Sequence, residues 1–455
     1  MSQVEDLLEN VAKVLEGAFY GDVRLERAYG TSVSKTKVEE SITSSSHFGI
    51  CIRIFSDNKW HYLGYAHPDT QKILDETRRK VEKVGNRPSS LYLQKSWKTD
   101  SKVNMKENPA DISPEEKLKS VREIFSNIMD AKMIINASTG IGSSKNEMIF
   151  MNTEGCILRQ ELNYMRVVLS AIAKENGRIE DDYFVLAKQG GYELFTGLDI
   201  DEKIESVTKG AKELLSAKMI DGGRWTIITD PEISGVIAHE SFGHGLEADQ
   251  VLRGRSYLAG LQGKKIVSEL VSMHDNSALE GERGFFFFDH EGIKSADTTL
   301  VENGVLVDFI HDRQSAAFMN TNATGSARAQ DFSRKVYVRM SNTYVSPGEW
   351  KHDELVEDTQ HGFYLVKASH GMEDPLGGNL QVSARKTLEI KNGEFTGQLF
   401  KGVAISGKVL EFLNNVDAVT NDFEISGSGC GKGHEDYVPV STGGPYMRIK
   451  NAIIG

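Results

Sequence analysis

The hexapeptide HESFGH, His239 to His244, brings two imidazoles and a carboxylate within six residues. Those are the residue types that hold a divalent metal and move the proton of a water molecule. The familiar motif for that chemistry, HExxH, places its histidines four apart on one helical face with the glutamate beside them. Here they are five apart. Successive helical residues turn by about 100°, so positions five apart differ by about 140° and point to different sides. A regular helix therefore cannot present both rings to one ion. A π-turn can, because its wider turn brings i and i+5 together, and so can a helix that ends near Gly243 and leaves His244 on a swinging turn. Gly243 and Gly245, on either side of His244, permit either distortion.

The chain has 12 histidines in 455 residues. With glutamate at about 8%, a random HExxxH is expected on the order of 0.03 times in such a chain. The spacing leaves two readings open: a metal site, or a helix with one buried hydrogen-bonded histidine and one exposed histidine. A catalytic zinc takes three protein ligands and keeps a position for water. Candidates for the third ligand are the nearby Glu247 and Asp249, and the distant Cys430 in ISGSGCGKGHE, with His434 four residues later. Cys430 is the softest donor and lies between glycines in a loop-like stretch. Cys51 and Cys156 sit in apolar strand patterns and read as buried small hydrophobes. Arg328 and Arg339 are candidate cations for a developing oxyanion, with a structural role as the alternative for each. Phe285 to Phe288, in GFFFFDHEG, read either as the wall of a substrate groove or as a strand buried on both faces.

The elements that must position these groups follow from pattern. Arg224 to Thr229 reads as a short strand, Asp230-Pro231 as a helix start, and PEISGVIAHESFGH as a largely buried helix. Upstream, MSQVEDLLENVAKVL is an amphipathic helix, and Val23 to Tyr65 alternates as antiparallel strands with a hairpin tip at Asp57-Asn58. Residues 68–85 return to helical period, and 86–112 form a polar connector. Ser113, Pro114 and Glu116 open a second helix with a capping box. Strands from about Met133 to Gln189 and a helix over 199–218 complete what resembles a second copy of the first unit. Beyond about 280, Asn-Gly at 303–304 and 392–393 marks hairpins in a β-rich region. The predicted fold is α+β. An N-terminal α+β domain, 1–220, has an antiparallel sheet and flanking helices, in two similar units (1–90 and 113–220). A β-rich, barrel-like domain, 221–455, carries the metal-binding helix.

Composition narrows the function. With 53 basic against 65 acidic side chains the net charge is −12, which argues against a nucleic-acid surface. No window has the roughly 18 consecutive apolar residues of a membrane span. The N-terminus lacks the basic and uninterrupted apolar regions of an export signal. Three well-separated cysteines point to a reducing, cytoplasmic setting.

HESFGHGLEAD, taken with NTEG (Asn152 to Gly155), FDHEG (Phe288 to Gly292), TGSAR (Thr324 to Arg328), RMSNTYVSPG (Arg339 to Gly348) and SGSGCGK ahead of PVSTGGP, resembles the TldD/PmbA family of metallopeptidases. The likeness spans essentially the whole chain in order and is nearest the TldD type, since the partner type lacks HExxxH. It implies that His239, His244 and Cys430 hold one Zn2+ per subunit and that Glu240 is the catalytic glutamate. It also implies a dimer with a shielded active site, acting on unfolded or extended peptides, including peptide precursors. The dimer is either a homodimer or a heterodimer with a PmbA-type subunit. The chain departs from the family pattern at His434-Glu435, where a glutamine is expected, and in EDPLGGNLQVSARKTLEI, which is less aromatic. A His, His, Cys ligand set also accepts iron or another divalent metal. Glu247 and Asp249 are candidates for orienting a ligand histidine, and His434 for an extra role beside the metal. The competing readings are a dipeptidyl-peptidase III-like exopeptidase, whose third ligand is a downstream glutamate, and a catalytically silent subunit that binds a peptide or a partner.

Overall fold

A computed structural model describes residues 3–433 and 436–455. Its first half is built on one seven-stranded sheet. After the helix Gln3–Leu15 come β1 (Tyr20–Thr36), β2 (Glu40–Ser56) and β3 (Lys59–Tyr65), an antiparallel meander whose second turn puts Asp57 and Asn58 at φ 54° and 56°. β4 (Lys98–Lys102) follows the helix Thr70–Val84. A second meander of β5 (Ile134–Asn152), β6 (Ile157–Glu175) and β7 (Arg178–Gln189) lies between the helices Pro114–Met129 and Ile200–Ser216. β1 and β5 pair antiparallel from Asp22↔Asn152 to Thr36↔Ser138, so the order β3-β2-β1-β5-β6-β7 joins two equivalent meanders at its centre.

The helices are started by Asp69, Asp199 and the Ser113/Glu116 capping box, each satisfying backbone N–H groups that an open helix end leaves unpaired. Two apolar clusters hold them to the sheet, one around Leu8, Val11, Val23 and Ile52, the other around Val121, Ile128, Val167 and Val207. The polar connector expected over 86–112 contains β4, which runs parallel to the start of β6. Its sequence KTDSK carries no apolar alternation because backbone pairing alone recruits it.

In the second half, five strands close on themselves. His361–Asp374, Gly223–Thr229, Met447–Ile454, Val403–Lys408 and Asn379–Lys391 pair in that cyclic order, forming a small barrel. A separate six-stranded sheet ends in Asn342–Val345, Asp436–Gly444 and, at its edge, Glu424–Lys432. The helix that starts at Pro231 is packed between the two, with Ile233, Ile237, Phe242 and Leu246 completely buried. Each such side chain contributes about 1.5–3 kcal/mol by leaving water. Asn303-Gly304 and Asn392-Gly393 turn hairpins with positive φ throughout, as their sequence requires.

Phe285 to Phe288 do not form a strand. They are an irregular segment wedged against the first-half sheet, where Gln160 donates to the Phe288 carbonyl at 3.1 Å and accepts from Phe287 N–H at 2.9 Å, and Gln189 donates to the Phe285 carbonyl. Side-chain amides thus replace the ladder bonds that a buried strand would need. The same seam holds buried ion pairs: Arg53 reaches Asp22 at 2.6 Å and Glu291 at 2.9 Å, all fully buried, and the buried Arg313 reaches the partly buried Glu154 at 2.8 Å. Among the described residues no helix is long and apolar enough to cross a membrane.

Candidate metal centre

Asp230 caps the central helix, accepting from Ile233 N–H at 2.8 Å with one carboxylate oxygen. With the other it accepts from the N–H of Lys367, a left-handed residue at φ 56°, also at 2.8 Å. The helix is α over Pro231–Val236, becomes π over Ile237–Gly243, and tightens to a 3₁₀ turn over His244–Leu246. The wide turn brings the His239 and His244 rings to 5.3 Å between centroids, at 82° to each other. The glycines act differently from the expectation. Gly243 has ordinary helical angles, φ −53° and ψ −49°, but a Cβ there would stand 1.8 Å from Met340 Sδ. It is required for close packing rather than for unusual torsion.

Cys430 points inward from the edge strand Glu424–Lys432, where its neighbours Gly429 and Gly431 face outward. Its Sγ lies 3.5 Å from His244 Nε2, and donor atoms of His239, His244 and Cys430 all fall within 4.8 Å of one another. Among the described residues this is the one such group of metal-capable side chains. Burial pushes the Cys430 thiol up, but the facing imidazoles His239 and His244 outweigh it and hold the thiol well below its ordinary range. Burial would lower His244, yet Glu247 and Cys430 raise it well above the usual imidazole value. His239 Nδ1 is buried without a hydrogen-bond partner among the described residues. A soft thiolate and two imidazoles converging on one point fit a zinc-type ion.

Glu247 lies 3.5 Å from His244 Nδ1, and Lys432 Nζ contacts Glu247 at 2.9 Å and Asp249 at 2.8 Å. Against the upward push of burial, Lys432 and His244 hold Glu247 at about 2. Burial raises Asp249 despite Lys432. Lys432 closes the SGSGCGK motif, but its role is not readable from the sequence: only the fold buries it between two acids. Both arginines hold main-chain carbonyls. Arg339 donates to the Cys430 carbonyl at 2.5 Å, and Arg328 donates to those of Met340 at 2.7 Å and Pro439 at 2.6 Å. Burial lowers Arg328 to about 10. Neither lines the cleft onto which Glu240 opens. His434 lies outside the described residues.

That cleft, about 730 Å³, runs between the free edges of β7 and of Glu424–Lys432, with the barrel strand His361–Asp374 as its third wall. The β7 and Glu424–Lys432 edges approach closely at one point, where a Cβ on Gly427 would sit 1.8 Å from the Ala187 carbonyl oxygen. Gly371 is pressed on the catalytic candidate, for a Cβ there would lie 2.8 Å from Glu240 Cγ. Glu232, two turns before Glu240, faces the same cleft and is raised to about 7 by burial, with Asp230 adding to the effect. Glu232, His370, Arg283 and Gly371 were not singled out by sequence, since none belongs to a local motif.

The fold and the gathered donors are those of a metallopeptidase-like chain. The PmbA/TldA metallopeptidase C-terminal domain matches residues 222–455, and the central domain of the same family matches 107–217. The chain belongs to the PmbA/TldD family. A metalloprotease of Methanocaldococcus jannaschii is 33% identical, covering 97% of this chain and 98% of that one. A zinc metalloprotease TldD homologue of Saccharolobus solfataricus is 27% identical, covering 96% and 97%. Two solved structures share the fold. TldE from Thermococcus kodakarensis has TM-score 0.78 and 16% identity, with 100% of both chains covered. A Thermotoga maritima protein described as a modulator of a DNA gyrase has TM-score 0.80 and 16% identity, also with 100% of both chains covered.

Proposed function

We propose that this chain is a zinc-dependent peptidase that hydrolyses extended or unfolded peptides, with His239, His244 and Cys430 holding the metal and Glu240 as general base. The observation that carries the reading is the π-turn, which gathers donors five residues apart around a cysteine nearly two hundred residues away. When bound, the metal supplies Lewis-acid chemistry toward water and a peptide carbonyl. Glu240 takes the proton of the attacking water and delivers it to the leaving amine, so no covalent enzyme intermediate forms. Glu247 fixes the ring of His244 through Nδ1, and Lys432 fixes Glu247. Arg339 holds the Cys430 backbone, a positioning task rather than oxyanion binding.

The substrate lies extended between the two free strand edges, pairing through its backbone, which gives affinity with little side-chain selectivity. Residues 221–455 then form the catalytic unit, and 1–220 supply the opposite wall through β7. The subunit works as a dimer, with a second copy or with a PmbA-type chain. Iron or another divalent ion would fit the same donors. Glu247 is held by Lys432 and His244, which favours Cys430 over a downstream glutamate as third ligand.

The test is metal analysis of the purified chain with cleavage of an unstructured peptide, before and after chelation. One bound zinc and cleavage abolished by chelator are expected. A metal-loaded protein that cleaves nothing, alone or with a PmbA-type partner, would leave a silent binding subunit.

A further inference from the structure

Arg283 stands on the cleft wall in an unusual electrostatic position. Its loop is pinned, with Arg283 N–H donating to Ser441 Oγ at 3.0 Å and Gly284 N–H to Asn342 Oδ1 at 3.0 Å. Its Nε donates to the Ser428 carbonyl at 3.0 Å, and its guanidinium carbon lies 5.7 Å from the Tyr164 ring centroid. These contacts fix the plane of the guanidinium and leave both Nη groups without a hydrogen-bond partner among the described residues. No described carboxylate is paired with it. Its charged neighbour is a second cation, Arg166, exposed on the same cleft. Burial and Arg166 both work against its charge, with Tyr164 and Tyr437 opposing. A half-buried guanidinium beside another, with its fork open, is the arrangement a carboxylate relieves best, by two parallel charge-assisted hydrogen bonds.

Position along the strand says where that carboxylate belongs. Ser428, which Arg283 grips, precedes Cys430 by two residues, about 7 Å of strand. We propose that Arg283, assisted by Arg166, binds a carboxylate of the substrate one or two residues from the bond being cut, supplied by the free C-terminus or by an acidic side chain. The inference rests on the peptidase reading above and adds to it a specificity-determining site. With the terminus as source, the enzyme trims short peptides from their ends. With a side chain as source, it favours acidic residues beside the cut.

The test uses the zinc-loaded full chain and three peptides of one unstructured sequence: free C-terminal acid, C-terminal amide, and the amide with a glutamate near the cut. Either carboxylate-bearing peptide is expected to exceed the plain amide in kcat/KM by about tenfold to a hundredfold. That ratio should fall toward one in Arg283→Gln and be partly kept in Arg283→Lys, which retains the charge without the fork. Which peptide gains identifies the source, and equal rates for all three in the wild type overturn the proposal. If no peptide is cleaved by the chain, alone or with a PmbA-type partner, the peptidase reading fails on its own. The carboxylate site is then judged by fluorescence anisotropy of the same peptides with the Glu240→Gln chain. A tenfold affinity difference that vanishes on adding Arg283→Gln upholds it, and equal affinities overturn it.

Discussion

At the scale of single residues, the proposed peptidase mechanism gives Glu240 and Cys430 separable roles. Glu240→Gln keeps the donors and removes the base, so turnover is expected to drop by about 10²–10⁴-fold with the zinc content of the wild type. Wild-type turnover in that variant would remove Glu240 from the mechanism. Cys430→Ala deletes the soft donor and leaves two imidazoles, so zinc should be lost on dialysis, measured by elemental analysis. Retention would point to a glutamate as third ligand. Glu232 gives a pH signature of its own. Burial raises its folded pKa to about 7, above the usual 4.3–4.5 of the unfolded chain. Its contribution to stability is therefore full below about 4.5 and lost as pH rises through 7, at most about 3 kcal/mol. Glu232→Gln should flatten the fall in Tm between pH 5 and pH 8, and an unchanged slope would show that burial does not govern this carboxyl.

At the scale of elements, the π-turn depends on a partner that sequence spacing does not reveal. Gly243 lies against Met340 at a distance no Cβ can share. Gly243→Ala should destabilise by about 1–3 kcal/mol through overpacking and weaken zinc binding by displacing His244. Because the obstacle is the far end of a flexible side chain, Met340→Ala in the same molecule should restore much of both losses. A double-mutant cycle by chemical denaturation reads the coupling, and strict additivity would mean that Gly243 serves torsion instead. The distorted helix itself was legible, since a metal motif with five-residue spacing has few geometric solutions. The helix caps and hairpin tips were legible too, because Asp, Ser, Pro and Asn-Gly act on backbone groups next to them. The four phenylalanines were not. An apolar run marks burial, and whether its backbone is satisfied by a neighbouring strand or by Gln160 and Gln189 is settled far away in the chain, 128 and 96 residues off.

At the scale of the whole molecule, the cleft exists only because the two halves of the chain are locked together. Arg53, Asp22 and Glu291 are buried at that junction, and Arg313 adds a second link through Glu154. Glu291→Ala leaves Arg53 with one carboxylate and should cost about 3–5 kcal/mol in global stability, read as a lower Tm. A change within 1 kcal/mol would mean that water reaches the junction and screens it. By itself, the sequence of this protein determined a candidate metal-binding pair with its glutamate, the distortion they demand, the α+β and β-rich halves, and a net charge of −12. All of these are carried by side chains within about ten residues of one another or by composition, where local sterics and periodicity act. Only the tertiary structure decided that Cys430 lies within reach of both histidines, that Lys432 anchors Glu247, that Arg328 and Arg339 hold main-chain carbonyls, and that Arg283 stands on the cleft with no carboxylate partner among the described residues. Each of those depends on burial and on neighbours far away in the chain, and burial is what turns an ordinary lysine, arginine or cysteine into a fixed charge with a task.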